Sequence, residues 1–369
     1  MENRDEIFME RAIRLARRGR YGAHPNPMVG AVLVRGGRII GEGWHKEFGG
    51  PHAEVNAIRS SARSGRGARG AVMYVTLEPC STSGKTGPCT GALIAAGVER
   101  VVIGAGDPNP ANSGRAAAIL SAAGIKVRSG VLAREAEDLN PAFNKFMRTG
   151  LPYVTLKIAQ SLDGRIADFK GRSRWITSPS SRAESHRLRA EADAVLVGIN
   201  TVRSDDPSLT VRHVRTRRQP SPVVLDSRLQ LPLSASLLAG NHPVVAATGK
   251  APARRAVLLR RGGAEVLILP SDRSTGGVDL KSLLKALGRR GISHVLVEGG
   301  GRVIGSFLRR GLFDRFMIFS APLLIGGEKA KPSVSWPDAP AVRGALGIRT
   351  ELRSIRRIGP DILTEVRPL

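Results

Sequence analysis

Four side chains early in the sequence have the types and spacing that hydrolytic chemistry needs. They are His52 and Glu54 in Pro51-His52-Ala53-Glu54, Cys80 in Glu78-Pro79-Cys80, and Cys89 in Pro88-Cys89. One imidazole and two thiolates suit a borderline-soft divalent ion such as Zn²⁺, one per chain. Three protein ligands would leave the fourth tetrahedral position open, as catalytic zinc sites do. Glu54 then stands where a carboxylate can take a proton from an activated water and hand it to a leaving group. A His-x-Glu alone arises often by chance, and a buried structural cysteine pair is a common alternative. Here both cysteines follow a proline, and the chain has no others.

These residues need a scaffold, and the surrounding pattern supplies one. Ile7, Phe8, Ala12, Leu15 and Ala16 fall at helical spacing, with Gly19 ending the helix. Strands are expected over Val29–Val34 and Arg38–Gly43 around the hairpin signal Arg35-Gly36-Gly37, then over Ala71–Leu77, Arg100–Gly104 and Ile125–Val127. Helices are expected over His52–Arg59, Thr90–Ala96 and Ser113–Ala123. Pro51 and Pro88 suit helix starts. That puts His52 and Cys89 at helix N-termini, whose partial positive charge favours a thiolate at Cys89. Cys80 is left in the loop after a strand.

The pattern pauses over Asn140–Pro152, where the boundary between two domains is placed. Strands resume at Tyr153–Ala159, Ala194–Gly198, Val223–Asp226, Pro243–Ala247, Glu265–Leu269 and His294–Glu298, with helices at Asp279–Leu287 and Val303–Leu308. Alternating strands and helices imply an α/β fold with a mainly parallel sheet. Gly299-Gly300-Gly301 between strand and helix could hold a phosphate on backbone N–H groups. It does not match G-x-G-x-x-G, so a Rossmann fingerprint is not supported.

With 369 residues the chain exceeds what one compact core usually serves. The excess of 57 Lys+Arg over 31 Asp+Glu points to nucleic acid or anionic ligands. The arginines are scattered, however, and aromatic residues are only 4%, poor for base stacking, so no nucleic-acid partner is expected. Met1–Arg20 has no apolar core of a signal peptide, and no segment approaches the length of a membrane span. A cytoplasmic protein with no membrane partner is expected; a homo-oligomer is left open.

The order His-x-Glu…Pro-Cys, with a Glu that is not a ligand, is that of zinc deaminases, many of which have Cys-x2-Cys where this chain has Cys-x8-Cys. The chain resembles the bifunctional riboflavin-biosynthesis family that joins diaminohydroxyphosphoribosylaminopyrimidine deaminase to 5-amino-6-(5-phosphoribosylamino)uracil reductase. The resemblance rests on Pro25–Gly30, His52-Ala53-Glu54, Glu78–Ser81, Gly84–Cys89, Asp107–Pro110, Ser161–Arg165, Trp175–Thr177, Asp205–Pro207 and Glu298–Gly300, in order along nearly the whole chain. The longer cysteine spacing is characteristic of that family. It differs at Thr82-Ser83, where the family usually has His-Tyr, and at Gly87, where it usually has Pro.

The resemblance implies a cytidine-deaminase-like three-layer domain over residues 1–147 and a dihydrofolate-reductase-like domain over 148–369. In the first, His52, Cys80 and Cys89 would bind zinc, Glu54 would carry protons, and Asn26, His45 and Lys85 would hold a phosphorylated pyrimidine. In the second, Ala159, Trp175, Thr177, Thr201, Asp205, Ser227 and Gly299, Gly300 and Gly301 would contact NADPH. Ser173, Arg189, Leu209, Arg212 and Glu298 would contact substrate, the two guanidinium groups suiting its phosphate. Asp205 would donate a proton or anchor the sugar, and Lys157 could face the same pocket. Two other readings stand beside this one: an RNA deaminase with a degenerate second domain, and a zinc-stabilised binding protein in which Glu54 is dispensable.

Overall fold

The computed structural model describes residues 2–82, 87–110, 112–214, 216, 218–240, 242–336 and 347–369. The chain divides into two compact units, Met1–Gly150 and Leu151–Leu369. No described helix is long and apolar enough to cross a membrane.

The first unit runs α1 (Glu2–Ala16), β1 (Gly30–Arg35), β2 (Arg38–Trp44), α2 (Ala53–Arg63), β3 (Val72–Leu77), α3 (Cys89–Ala95), β4 (Arg100–Ala105), α4 (Arg115–Ala122), β5 (Lys126–Ser129), α5 (Ala133–Glu137) and α6 (Pro141–Thr149). The sheet order is β2-β1-β3-β4-β5. β1 is antiparallel to both neighbours, and β3, β4 and β5 are parallel. Side chains alternate across a strand. Ala31 and Leu33 therefore face the layer of α2, α3 and α4, while Val32 and Val34 face α1. The result is the three-layer arrangement expected. A Cβ on Gly41 or Gly43 would collide with the Ala57 or Ala53 carbonyl oxygen of α2. These glycines let the first turn of α2 lie directly on the hairpin, which fixes where His52 and Glu54 project.

The pause expected over Asn140–Pro152 is instead a helix, α6. Pro141 occupies its first turn, and Gly150 closes it in left-handed backbone at φ 67°. Thr149-Gly150 and Pro152 suggest a break in the pattern, but Gly150 is the stop signal of a helix that Pro141 starts.

The second unit runs β6 (Tyr153–Ser161), β7 (Arg165–Ala167), α7 (Pro179–Glu191), β8 (Ala194–Gly198), α8 (Ile199–Asp205), β9 (Ser221–Leu225), β10 (Val244–Thr248), α9 (Ala253–Arg261), β11 (Glu265–Leu269), α10 (Leu280–Gly288), β12 (His294–Val297), α11 (Gly301–Arg309), β13 (Arg315–Ala321), β14 (Lys331–Pro332), β15 (Thr350–Ile358) and β16 (Asp361–Pro368). Nine strands form one sheet, ordered β11-β10-β9-β8-β12-β6-β13-β16-β15. The seven from β11 to β13 are parallel; β16 and β15 complete the edge antiparallel. Apolar clusters fill both faces, α10 and α11 on one, α7 and α9 on the other. The pattern reading stopped at Leu308 and did not include β13 or the last hairpin. That hairpin is exposed along much of its length, so its alternation is weak. Asp361 at its turn is buried, and its carboxylate accepts from the Ser178 N–H (2.8 Å) and the Ser181 hydroxyl (2.6 Å), pinning the start of α7.

Candidate functional site

In the first unit, His52 is the N-cap residue of α2 and Cys89 opens α3. Cys80 lies just beyond β3. Their ligand atoms all lie within 4.8 Å of one another. His52 Nδ1 is 3.2 Å from Cys89 Sγ and 3.5 Å from Cys80 Sγ. Ligand edges of a tetrahedral zinc site with bonds of 2.0–2.3 Å measure roughly 3.5 Å, so the donor set fits the ion without rearrangement. Among the described residues the cluster consists of these three. Stripping the metal with a chelator is expected to stop ammonia release, with recovery on adding Zn²⁺, and to leave NADPH oxidation unchanged on deaminated substrate. Ammonia release that survives metal depletion, verified by elemental analysis, would contradict the assignment.

The electrostatics match a site built for a cation. Without one, a hydrogen bond from the Cys89 thiol, with further bonds from His52 and the Cys89 backbone, lowers the pKa of Cys80. Cys89 is pushed up by that sharing with Cys80 and by burial. The Cys89 N–H points at Cys80 Sγ (3.3 Å), so the start of α3 favours negative charge on Cys80 as well. Glu54 is buried on the first turn of α2, and burial raises its pKa, with His52 and Cys89 as close neighbours. A carboxyl raised this way can both accept and return a proton.

Of the residues expected to touch the pyrimidine, Asn26 and His45 form a pair. Asn26 Nδ2 lies 3.1 Å from His45 Nε2, and His45 Nδ1 lies 3.2 Å from the Pro51 carbonyl. His45 is 2% exposed with both ring nitrogens engaged, so it orients Asn26 and flanks His52 edge-on. Lys85 and Ser83 lie outside the described residues. Thr82 donates its hydroxyl to Asn112 Oδ1 (3.1 Å).

The sequence reading quoted Glu78-Pro79-Cys80 but gave Glu78 no role. Its buried carboxylate accepts from the Asp107 (3.3 Å), Gly114 (3.0 Å) and Ala116 (3.1 Å) N–H groups. It thereby ties the Cys80 loop to the start of α4. A carboxylate two residues from a ligand was the available signal.

In the second unit, most expected residues converge at the carboxyl ends of the parallel strands, where open α/β sheets place ligands. Ser173, Trp175, Arg189, Asp205, Leu209 and Arg212 line a cavity of about 580 Å³. Ala159 and Thr177 line an adjoining one of about 320 Å³, which shares Ser173, Trp175, Arg189 and Arg212 with the first. Trp175 stands exposed with the Arg182 guanidinium 4.4 Å from its ring centre. The Gly300 N–H donates to Thr201 Oγ1 (3.2 Å), joining the glycine turn to α8. A Cβ on Gly299 would lie 2.7 Å from the Gly198 nitrogen, so close packing demands that glycine. Beside Gly300, the nearest atom to an added Cβ is Thr201 Oγ1 at 3.6 Å, leaving room for a ligand to approach. Thr201, Ser227, Glu298, Gly299, Gly300 and Gly301 are not among the residues lining either cavity; the Ser227 carbonyl accepts from Thr248.

Lys157 on β6 opens into both cavities. Burial pushes its ammonium pKa down, and Glu298 pulls it back up. Burial alone would raise Glu298, but the charges of Arg189 and Lys157 outweigh it and hold the carboxyl at about 2. Arg189 donates to both Glu298 oxygens (2.7 and 2.8 Å) and to the Thr210 carbonyl (3.0 Å). Its fork thus engages Glu298 and Thr210, while the side chain also lines both cavities. Arg212 is exposed and forms no side-chain hydrogen bond among the described residues.

Residues 2–105 match the cytidine and deoxycytidylate deaminase zinc-binding region, and residues 152–364 match the RibD C-terminal domain. Fold and sites together define a two-domain enzyme, a zinc-dependent deaminase joined to a reductase of dihydrofolate-reductase-like fold that uses NADPH. The riboflavin biosynthesis protein RibD of Aquifex aeolicus is 46% identical over 87% of this chain and 88% of its own length. The Acinetobacter baumannii RibD structure superposes with a TM-score of 0.87 at 39% identity, covering 100% of both chains. A Thermotoga maritima structure, described as a diaminohydroxyphosphoribosylaminopyrimidine deaminase/5-amino-6-(5-phosphoribosylamino)uracil reductase, gives a TM-score of 0.83 at 36% identity, covering 100% of this chain and 99% of its own. The chain belongs to the RibD family and is a bifunctional deaminase and reductase of riboflavin biosynthesis.

Proposed function

We propose that the unit Met1–Gly150 removes the 2-amino group of 2,5-diamino-6-(5-phosphoribosylamino)pyrimidin-4(3H)-one, and that Leu151–Leu369 reduces the ribosyl group of the product to ribityl. The observation that carries this reading is the convergence of His52, Cys80 and Cys89 within 4.8 Å beside the buried Glu54. Zinc held by these three would make a water nucleophilic at neutral pH. Glu54 accepts the proton that water loses and delivers it to the departing nitrogen; a C–O bond forms, the C–N bond breaks, and ammonia leaves. His45 fixes the Asn26 amide through Nδ2, which leaves Asn26 Oδ1 as an acceptor for a pyrimidine N–H.

In the reductase, the glycine turn and Thr201 would hold NADPH, with Trp175 as a flat wall, and the cofactor would supply a hydride for the sugar C1′. As C1′ gains the hydride, its bond to the ring oxygen breaks, and that oxygen takes a proton. Lys157, which opens into both cavities, would give that proton, with Asp205 in the same cleft as the alternative donor or the anchor of the sugar. Glu298 keeps Lys157 charged, and Arg189 keeps Glu298 in place. Arg212 takes the phosphate. We place the enzyme in the cytoplasm, because its metal thiolates need a reducing compartment, with a small phosphorylated substrate and no nucleic acid.

The test is an assay with the phosphoribosylated diaminopyrimidine in which ammonia release and NADPH oxidation are followed together. Ammonia without subsequent NADPH oxidation, or the reverse, would break the two-step reading. Arg212→Ala is expected to raise KM for the phosphorylated substrate about tenfold at little cost to kcat, the pattern of lost uniform binding. Unaltered kinetics would remove Arg212 from the phosphate site.

A further inference from the structure

The stretch Asp206–His213 carries Leu209 and Arg212 to the reductase cleft without regular secondary structure. Asp206, Leu209 and His213 adopt left-handed backbone, with φ of 40°, 56° and 65°. Residues other than glycine keep such conformations only where their surroundings enforce them. The enforcement comes from side chains elsewhere in the chain. Thr210 accepts from Arg189 at 3.0 Å. The Val211 N–H donates to Gln219 Oε1 (2.6 Å), and Gln219 Nε2 donates back to the Val211 carbonyl (3.3 Å), as a neighbouring strand would. The Arg212 N–H donates to His186 Nδ1 (3.0 Å). His186 is buried on α7, and its ring meets that of His213 edge-on at 5.1 Å. Burial, with the nearby charges of Arg189, Arg212 and His213, holds His186 at about 4, so at neutral pH Nδ1 is an acceptor and the proton sits on Nε2.

We propose that His186 and Gln219 are positioning residues of the reductase, locking the Val211–Arg212 backbone so that the Arg212 guanidinium stands ready for the substrate phosphate. The inference rests on the assignment of that phosphate to Arg212. The two residues act through Arg212, and neither needs to touch substrate.

The experiment compares His186→Leu, His186→Asn, Gln219→Ala and Arg212→Ala in the full chain, using the deaminated substrate with and without its phosphate. His186→Leu and Gln219→Ala are expected to raise KM for the phosphorylated substrate about tenfold, with kcat and the KM for NADPH held within about twofold. KM for the dephosphorylated compound should not move. Asn presents an oxygen where His presents Nδ1, so His186→Asn should restore most of the affinity. The proposal is overturned if KM stays at the wild-type value. It is equally overturned if KM rises alike for both compounds, or if kcat and NADPH binding fall together as in a general loss of structure. Gln219 is exposed, so its variant decides the matter if His186→Leu does not fold. Silent His186 and Gln219 variants beside an impaired Arg212→Ala would defeat the positioning role alone. A silent Arg212→Ala would defeat the phosphate assignment beneath it.

Discussion

Glu54→Gln is expected to bind the same amount of metal as the wild type and to release ammonia roughly 10³-fold more slowly. Glutamine matches the volume and polarity of the buried side chain but can neither accept nor return a proton. The ligands His52, Cys80 and Cys89 are untouched, so metal content separates a lost proton carrier from a collapsed site. Because the second unit has its own sheet and core, NADPH oxidation on deaminated substrate should continue at the wild-type rate. Normal ammonia release from Glu54→Gln would favour a zinc-stabilised binding role for this unit. Loss of both activities in a folded variant would show that the sites are not autonomous.

The second large effect is expected from Glu298→Gln. The wild-type carboxylate neutralises Arg189 through two hydrogen bonds and also acts electrostatically on Lys157. Its removal leaves buried positive charge without a counterion, which costs on the order of 3 kcal/mol, or about 10 °C in Tm for a unit of this size. Reductase activity should fall as well, since Lys157 loses the carboxylate that favours its protonated form.

The pH dependence gives an independent check. Glu298 has a folded-state pKa depressed to about 2 from the ordinary 4.5. Its contribution is therefore complete above about pH 4.5 and is lost as pH falls towards 2. The stability gap between wild type and Glu298→Gln should be constant from neutral pH to about pH 5 and more than half closed by about pH 3. Denaturation midpoints of the reductase unit at pH 7, 4.5 and 3 measure this. A gap of equal size at pH 3 would mean that the ionised carboxylate is not the source of the stability.

The zinc site was the most legible part of the sequence because its chemistry is local. Pro51-His52 and Pro88-Cys89 each encode a helix start together with the ligand on it, so type and position are read in one stroke. The three-layer unit was equally readable, since Val29–Val34 and Ala71–Leu77 carry apolar runs that their burial repeats. Partnership across long separations was not readable. Arg189 and Glu298 are 109 positions apart, and nothing in either neighbourhood says that one guanidinium is consumed by the other. The ion pair with Glu298 stands beside the phosphate contact that the resemblance implies for Arg189, whose side chain lines both cavities. Likewise, His45 carries the residue type of a ligand contact, but only its burial shows both ring nitrogens spent on Asn26 and Pro51. Helix α6 was missed because Thr149-Gly150 and Pro152 were read as a break in the pattern, when Gly150 ends a helix that Pro141 begins.

The contact of Asp361 with Ser178 and Ser181 has a consequence for how the molecule is made. During synthesis the deaminase half has every strand of its sheet by residue 129 and can fold while the rest is still emerging, as N-terminal domains do. The reductase half has no such freedom. The carboxylate that secures the helix bearing His186 and Arg189 is made 183 positions after Ser178, and the strand it begins must slot between β13 and β15. A ribosome stalled short of residue 361 would therefore carry a working deaminase ahead of an unfinished reductase.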